Sequence, residues 1–193
     1  MYTVFTYDHY TLKRQVLALT GKVRVFTPDG QLGLYSEQKM FRLREDIRVY
    51  NDEYKSHELL WIQARQVIDF AAAYDVTDQT SGQKVGALRR KGWQSILRDA
   101  WQVLDPMERV IATIQEESPG LAMLRRLLLG SLLPQRYEAL DPREAVLANY
   151  QQQFHLFRYH MNIHFTPGPI QLDRRLGLAA GILLATIEGK QSS

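Results

Sequence analysis

Between Leu176 and Ile187 the chain carries twelve consecutive residues without a charge, apolar on every side when they are wound as a helix. At about 1.5 Å per residue such a helix covers about 18 Å, well short of the ~30 Å hydrocarbon core of a bilayer. It is too short to span, and a helix without a polar face has to be surrounded. In a chain of this size with many short strands, the way to surround one helix is to wrap the sheet around it. Gly177, Ala180 and Gly181 would then let backbone approach where the enclosure is narrow. A helix that lies on a membrane surface is the alternative reading of the same segment. With Asp173-Arg174-Arg175 leading in, the helix is expected over about 173–188.

Composition narrows the rest. A chain of 193 residues with 45% hydrophobic residues is long enough to bury a core without disulfides or a structural metal. It contains no cysteine, which excludes disulfide staples, thiolate-bound zinc, iron–sulfur clusters, thiol catalysis and palmitoylation. The start, Met1-Tyr2-Thr3-Val4, has neither a basic cluster nor an apolar run, and no asparagine begins a glycosylation sequon. A cytoplasmic location is therefore expected.

The first half reads as short strands joined by turns. Lys22 to Val25 alternates, Thr27-Pro28-Asp29-Gly30 has the chemistry of a type I turn, and Gln31 to Glu37 returns. Further strands are expected at Ile47–Tyr50, Leu59–Phe70, Ala72–Val76, Lys84–Lys91 and within Trp93–Leu104. In Leu59–Phe70, the residues Leu60, Ile62, Ala64, Ile68 and Phe70 share the core face. Turn residues at Asn51-Asp52, Asp78 to Gly82 and Lys91-Gly92 recur at strand spacing, which favours an antiparallel meander.

Later the signals change. Ser118-Pro119 followed by leucines predicts a surface helix at about 119–130, and Asp141-Pro142-Arg143-Glu144 reads as a capping box opening a second one at about 142–150. From Gln151 to Phe165 a strand fits better than a helix. Phe157, Tyr159, Met161, Ile163 and Phe165 then fall on one face and Arg158, His160, Asn162 and His164 on the other. Strands thus concentrate in 11–105 and 151–166 of one domain, with no internal repeat. The fold class is mainly β (α+β), a sheet closed around a hydrophobic C-terminal helix.

Catalytic signatures are missing: the chain has no nucleophile elbow, no Walker loop, no dinucleotide fingerprint and no His-Glu-x-x-His. His155, His160 and His164 are the sharpest metal candidates, but on a strand His155 faces away from the other two, so no metal is expected. Glu45-Asp46, between Arg44 and Arg48, reads as local ion pairing. Arg65 and Asp69 would stand about 14 Å apart along one extended strand, so each is expected to pair with neighbours. No enzyme activity and no cofactor are called for.

Several segments resemble the tubby C-terminal-like superfamily, which includes tubby proteins, phospholipid scramblases and LURP-one-related proteins. They are Gln31 to Tyr35, Lys39 to Ile47, Leu60 to Arg65, Tyr74 to Val76 and Val85 to Lys91. The resemblance is best from about Tyr10 to Asp105, is poor from Met107 to about Leu172, and resumes at the apolar helix. It implies a barrel of about twelve antiparallel strands closed around that helix, to which the capping signals above add one or two surface helices. It also implies a role at membranes, because tubby domains bind phosphoinositide headgroups through basic side chains outside the barrel, and Gly86-Ala87-Leu88-Arg89 looks like one contributor. Calcium-triggered lipid movement is not expected, since Asp75, Asp78 and Gly82 are too sparse for a calcium loop.

The basic cluster is the feature left for function. Lys84, Arg89, Arg90, Lys91 and Arg98 follow one another with no acidic residue between them. Lys39, Arg42 and Arg44 join them as second choices, on resemblance and charge. Three readings stand: a charged sheet surface that resists aggregation, an anionic-headgroup site at a membrane surface, and a nucleic-acid patch. The leading expectation is a non-enzymatic module that binds an anionic phospholipid or phosphoinositide headgroup peripherally. A protein-interaction module without a lipid ligand is the competing one.

Overall fold

The computed structural model describes residues 2–15, 20–39, 46–65, 73–91, 100–117, 135–153 and 158–187. Alternation of apolar and polar residues produces twelve strands: β1 (His9–Gln15), β2 (Thr20–Phe26), β3 (Leu32–Lys39), β4 (Asp46–Tyr50), β5 (Glu58–Ala64), β6 (Ala73–Asp78), β7 (Gln83–Arg90), β8 (Ala100–Leu104), β9 (Val110–Glu116), β10 (Arg136–Leu140), β11 (Val146–Gln153) and β12 (Arg158–Phe165). Each pairs antiparallel with its chain neighbours, and β1 pairs with β12 to close the barrel. Closure leaves no free strand edge in this sheet.

The inward positions are apolar on every wall. Leu60 and Ile62 on β5 are fully buried, and Tyr159, Met161, Ile163 and Phe165 alternate inward along β12, as the period-two pattern requires. Ala64 packs against this core, while Ile68 and Phe70 lie outside the described residues.

Three hairpins use one device. In Thr27–Gln31, Asp105–Arg109 and Asp141–Ala145 the first backbone N–H bonds the fifth carbonyl at 2.9–3.0 Å, and the fourth N–H bonds the first carbonyl. Proline occupies the second position each time, and the fourth residue is left-handed: Gly30, Glu108 and Glu144 have φ of 82°, 64° and 65°. This is a type I turn closed by a left-handed residue. The expected helix at 142–150 is therefore replaced by this turn and by β11. Asp141 Oδ1 accepts the N–H groups of Arg143 and Ala145, both at 2.8 Å, much as a helix cap would. A left-handed Glu144 then reverses the chain instead of continuing a helical turn. The matching Asp-Pro-x-Glu in 105–108 and 141–144 is a short repeat shared by two of these turns. β9 and β10 are further strands outside the expected ranges. Their inward positions include Ala112, Glu116 and Ala139, which dilute the apolar alternation. The surface helix expected at about 119–130 lies outside the described residues.

The C-terminal helix α1 (Arg174–Ile187) begins after an eight-residue connection from β12, and every residue from Leu176 to Thr186 is buried. It contacts β12, β7, β6 and β1, and a Cβ on Gly177 or Gly181 would fall 2.3 Å from the Phe165 ring or 2.6 Å from Ile163. The small residues thus set how closely helix and sheet approach. Tyr150 donates its buried hydroxyl to the Gly177 carbonyl at 3.1 Å, and Thr186 donates to the Ile182 carbonyl at 2.6 Å.

Two arginines at a helix N-terminus oppose its dipole. Carboxylates offset them here. Asp173 caps the helix by accepting the Arg175 N–H at 2.8 Å, Arg175 reaches Asp78 at 2.7 Å, and Arg174 pairs with Asp8 while lying 4.4 Å over the Phe165 ring. Asp78 also accepts the Thr80 N–H and hydroxyl, so it serves the β6–β7 turn and the helix entry together. Burial raises the Asp78 pKa, but the Thr80 and Arg175 hydrogen bonds outweigh it and hold the carboxyl below its ordinary value.

Candidate functional site

β7 carries most of the basic cluster, and a bulge decides which way its side chains point. Val76 pairs with Gly86 and Thr77 with Lys84, so Val85 is the extra residue. Lys84 and Arg89 consequently face outward, whereas Arg90 shares the inward phase of the fully buried Leu88 and is registered with the buried Trp101. Lys91 follows at the end of the strand, exposed, its N–H bonded to the Ala100 carbonyl at 2.8 Å. Gly86 is a packing residue: a Cβ there would lie 2.2 Å from the Leu104 carbonyl oxygen and 3.1 Å from Leu176.

The cluster divides into two parts. Lys84 belongs to an ion-pair network, at 2.8 Å from Asp75 and also bonded to Glu108, while Arg65 grips the same two carboxylates. The left-handed turn at Glu108 is what brings that carboxylate across to them. Hydrogen bonding from Arg65 holds both the Asp75 and Glu108 carboxyls below their ordinary values, with Lys84 adding to the effect. Burial pulls the Lys84 ammonium down, but its bonds to Asp75 and Glu108 leave it above the ordinary lysine value.

Arg89 and Lys91 stand apart from this network. Arg89 donates Nε–H to the neutral Gln102 amide at 3.0 Å, and among the described residues no carboxylate lies at ion-pairing distance from Arg89 or Lys91. Lys39 ends β3 opposite Thr20, four strands round the barrel, at the same end as Arg90. Arg42, Arg44 and Arg98 lie outside the described residues. Glu45 and Asp69 do too, while Asp46 pairs with Arg48 at 3.5 Å.

Sequence reasoning passed over a second surface. His9 on β1 and His164 on β12 are register partners whose rings stack at 4.0 Å, 19° from parallel. The signal was present in the outward phase of both strands, but pairing of the first strand with the last cannot be read from local periodicity. His155 lies outside the described residues, and among those described no three His, Asp or Glu side chains group as metal ligands do. A cleft of about 420 Å³ opens on one side of the stack, between Lys13, Phe26, Pro28 and Asn162. Another of about 310 Å³ lies between Arg136, Glu138, Asn149 and Gln151. Asn162 and His164 line both.

No protein-family model, curated protein or solved structure matches the chain. No helix among the described residues is long and apolar enough to cross a membrane.

Proposed function

We propose that this protein is a non-enzymatic, tubby-like barrel that recognises an anionic phospholipid headgroup at a membrane surface. Support for the family reading comes from α1. It touches β1 and β12 on one side and β6 and β7 half the ring away, with its side chains buried, which we read as a barrel closed around its helix.

The observation that carries the function is the pair Arg89 and Lys91, outward at the end of β7 with no carboxylate partner among the described residues. At about 1 kcal/mol per cation near an anionic surface, these two charges give roughly 2 kcal/mol, a weak peripheral contact. Lys84 is not counted, because Asp75 and Glu108 already neutralise it.

Sedimentation with phosphatidylserine vesicles at about 50 mM salt tests this, since screening is weak there. The wild-type chain is expected to pellet with the vesicles and to release as salt rises. Arg89→Glu with Lys91→Glu abolishes pelleting while changing stability by about 1 kcal/mol or less, since Lys91 is exposed and Arg89 gives up one hydrogen bond to Gln102. A wild-type chain that ignores the vesicles at low salt removes the lipid reading and leaves the protein-interaction module.

A further inference from the structure

Three register pairs of outward positions on β11 and β12 are chemically uniform. Asn149, Gln151 and Gln153 stand opposite His164, Asn162 and His160, so six adjacent sites carry only amides and imidazoles. The two clefts run across this patch and share Asn162 and His164. Their charged lining residues sum to zero only over both clefts: Lys13 stands alone in the first, and Arg136 faces Glu117 and Glu138 in the second.

Each of these features selects against a different ligand. A formal charge of zero over the two clefts together gives little long-range field to draw in a polyanion or an anionic headgroup. The closed sheet offers no edge on which a peptide could add as a strand. Amides present a donor and an acceptor on one side chain, and a sugar hydroxyl does the same. Lys13 lies 4.8 Å over the Phe26 ring, so the flat surface left for the C–H face of a pyranose ring is Pro28 and the outer edge of the stacked imidazoles. The volumes fall within or at the lower end of the roughly 300–1,000 Å³ of small-ligand sites. We propose that this face binds a neutral oligosaccharide laid across β1, β12 and β11, with Asn162 and His164 at the junction of two subsites.

The intact chain is titrated with cellohexaose, maltohexaose and chitohexaose, followed by backbone amide shifts and calorimetry. At least one is expected to bind, with shift changes centred on His9, Asn149, Gln151, Asn162 and His164. Being uncharged, it binds equally at about 50 and about 500 mM salt. Asn162→Ala with Gln151→Ala lowers affinity about tenfold or more, because each lost amide leaves ligand hydroxyls unpaired, and leaves the melting temperature unchanged. Arg89→Glu with Lys91→Glu leaves sugar binding intact, so this site and the proposed headgroup site fail or succeed separately. The proposal is overturned if none of the three sugars moves these amides at about 10 mM, a concentration that reveals even millimolar affinity. Shifts elsewhere, steep salt dependence, or undiminished binding by the double alanine variant overturn it equally.

Discussion

The outside of β4 to β7 is laced with ion pairs: Arg48 bonds Glu58 at 2.9 Å, Arg65 bonds Asp75 at 2.6 Å, and Lys84 joins Asp75 to Glu108. Across the barrel, three register pairs on β11 and β12 carry amides and imidazoles over paired clefts. Behind the two surfaces the wall is the same. Ile62 and Val76 are as deeply buried as Met161 and Ile163. Inward alternation and the helix are common to both halves, so outward chemistry can differ without changing the barrel. The outer positions are where separate recognition surfaces have room to arise.

The shared interior gives the largest effect. Leu183 is 1% exposed, and Leu183→Asp places an unpaired charge there, so the variant is expected to lose cooperative folding altogether. Circular dichroism during heating reads this. A soluble variant with a sharp wild-type transition would break the idea that both surfaces depend on one enclosed helix.

Next come the turns. Asp141→Ala removes the carboxylate that accepts two backbone N–H groups and is expected to cost about 1–2 kcal/mol, the scale of a lost cap. Asp105→Ala removes the equivalent acceptor of two N–H groups at 2.9 Å, loses the 2.7 Å bond to Arg109, and frees the turn that holds Glu108. It should lower the melting temperature further than Asp141→Ala and raise amide exchange in β5 to β7 while sparing β11 and β12. Equal exchange on both sides would show that the ion-paired surface does not depend on that turn.

Acid gives the smallest effect. Asp75 and Glu108 have folded pKa values below their ordinary 3.8 and 4.5, so the unfolded chain takes up protons first as pH falls. Their contribution is present above about pH 4.5 and is lost as pH drops through the folded values. Arg65→Gln removes the main cause of both shifts. Its stability profile below about pH 5 is therefore expected to be flatter than that of the wild-type chain, measured by urea unfolding. Parallel profiles would show that the network is electrostatically idle.

The strands with clean alternation were legible. β2 and β3 around Thr27–Gly30 and β4 lie where period-two patterning and turn residues put them. By contrast, β5 ends at Ala64, short of the expected Phe70, and the stretch expected as one strand from Gln151 to Phe165 is divided between the end of β11 and β12. Asp-Pro-Arg-Glu was misread because a helix cap and a tight β-turn begin with the same side-chain bonds, and only the left-handed Glu144 separates them. The basic cluster was legible as residues but not as a site, since composition cannot show that Lys84 meets Glu108 from a turn 24 residues away.

By itself, the sequence determined what depends on neighbouring residues: the short strands, the hairpin turns, and an apolar helix that water could not solvate. Tertiary structure decided what depends on distant partners. Pairing of β1 with β12 stacked His9 on His164, the Val85 bulge turned Lys84 outward, and the Glu108 turn neutralised it, while Arg89 and Lys91 meet no carboxylate among the described residues. Backbone preference and burial act locally along the chain, whereas a charge or an imidazole takes its role from whatever the closed sheet sets beside it.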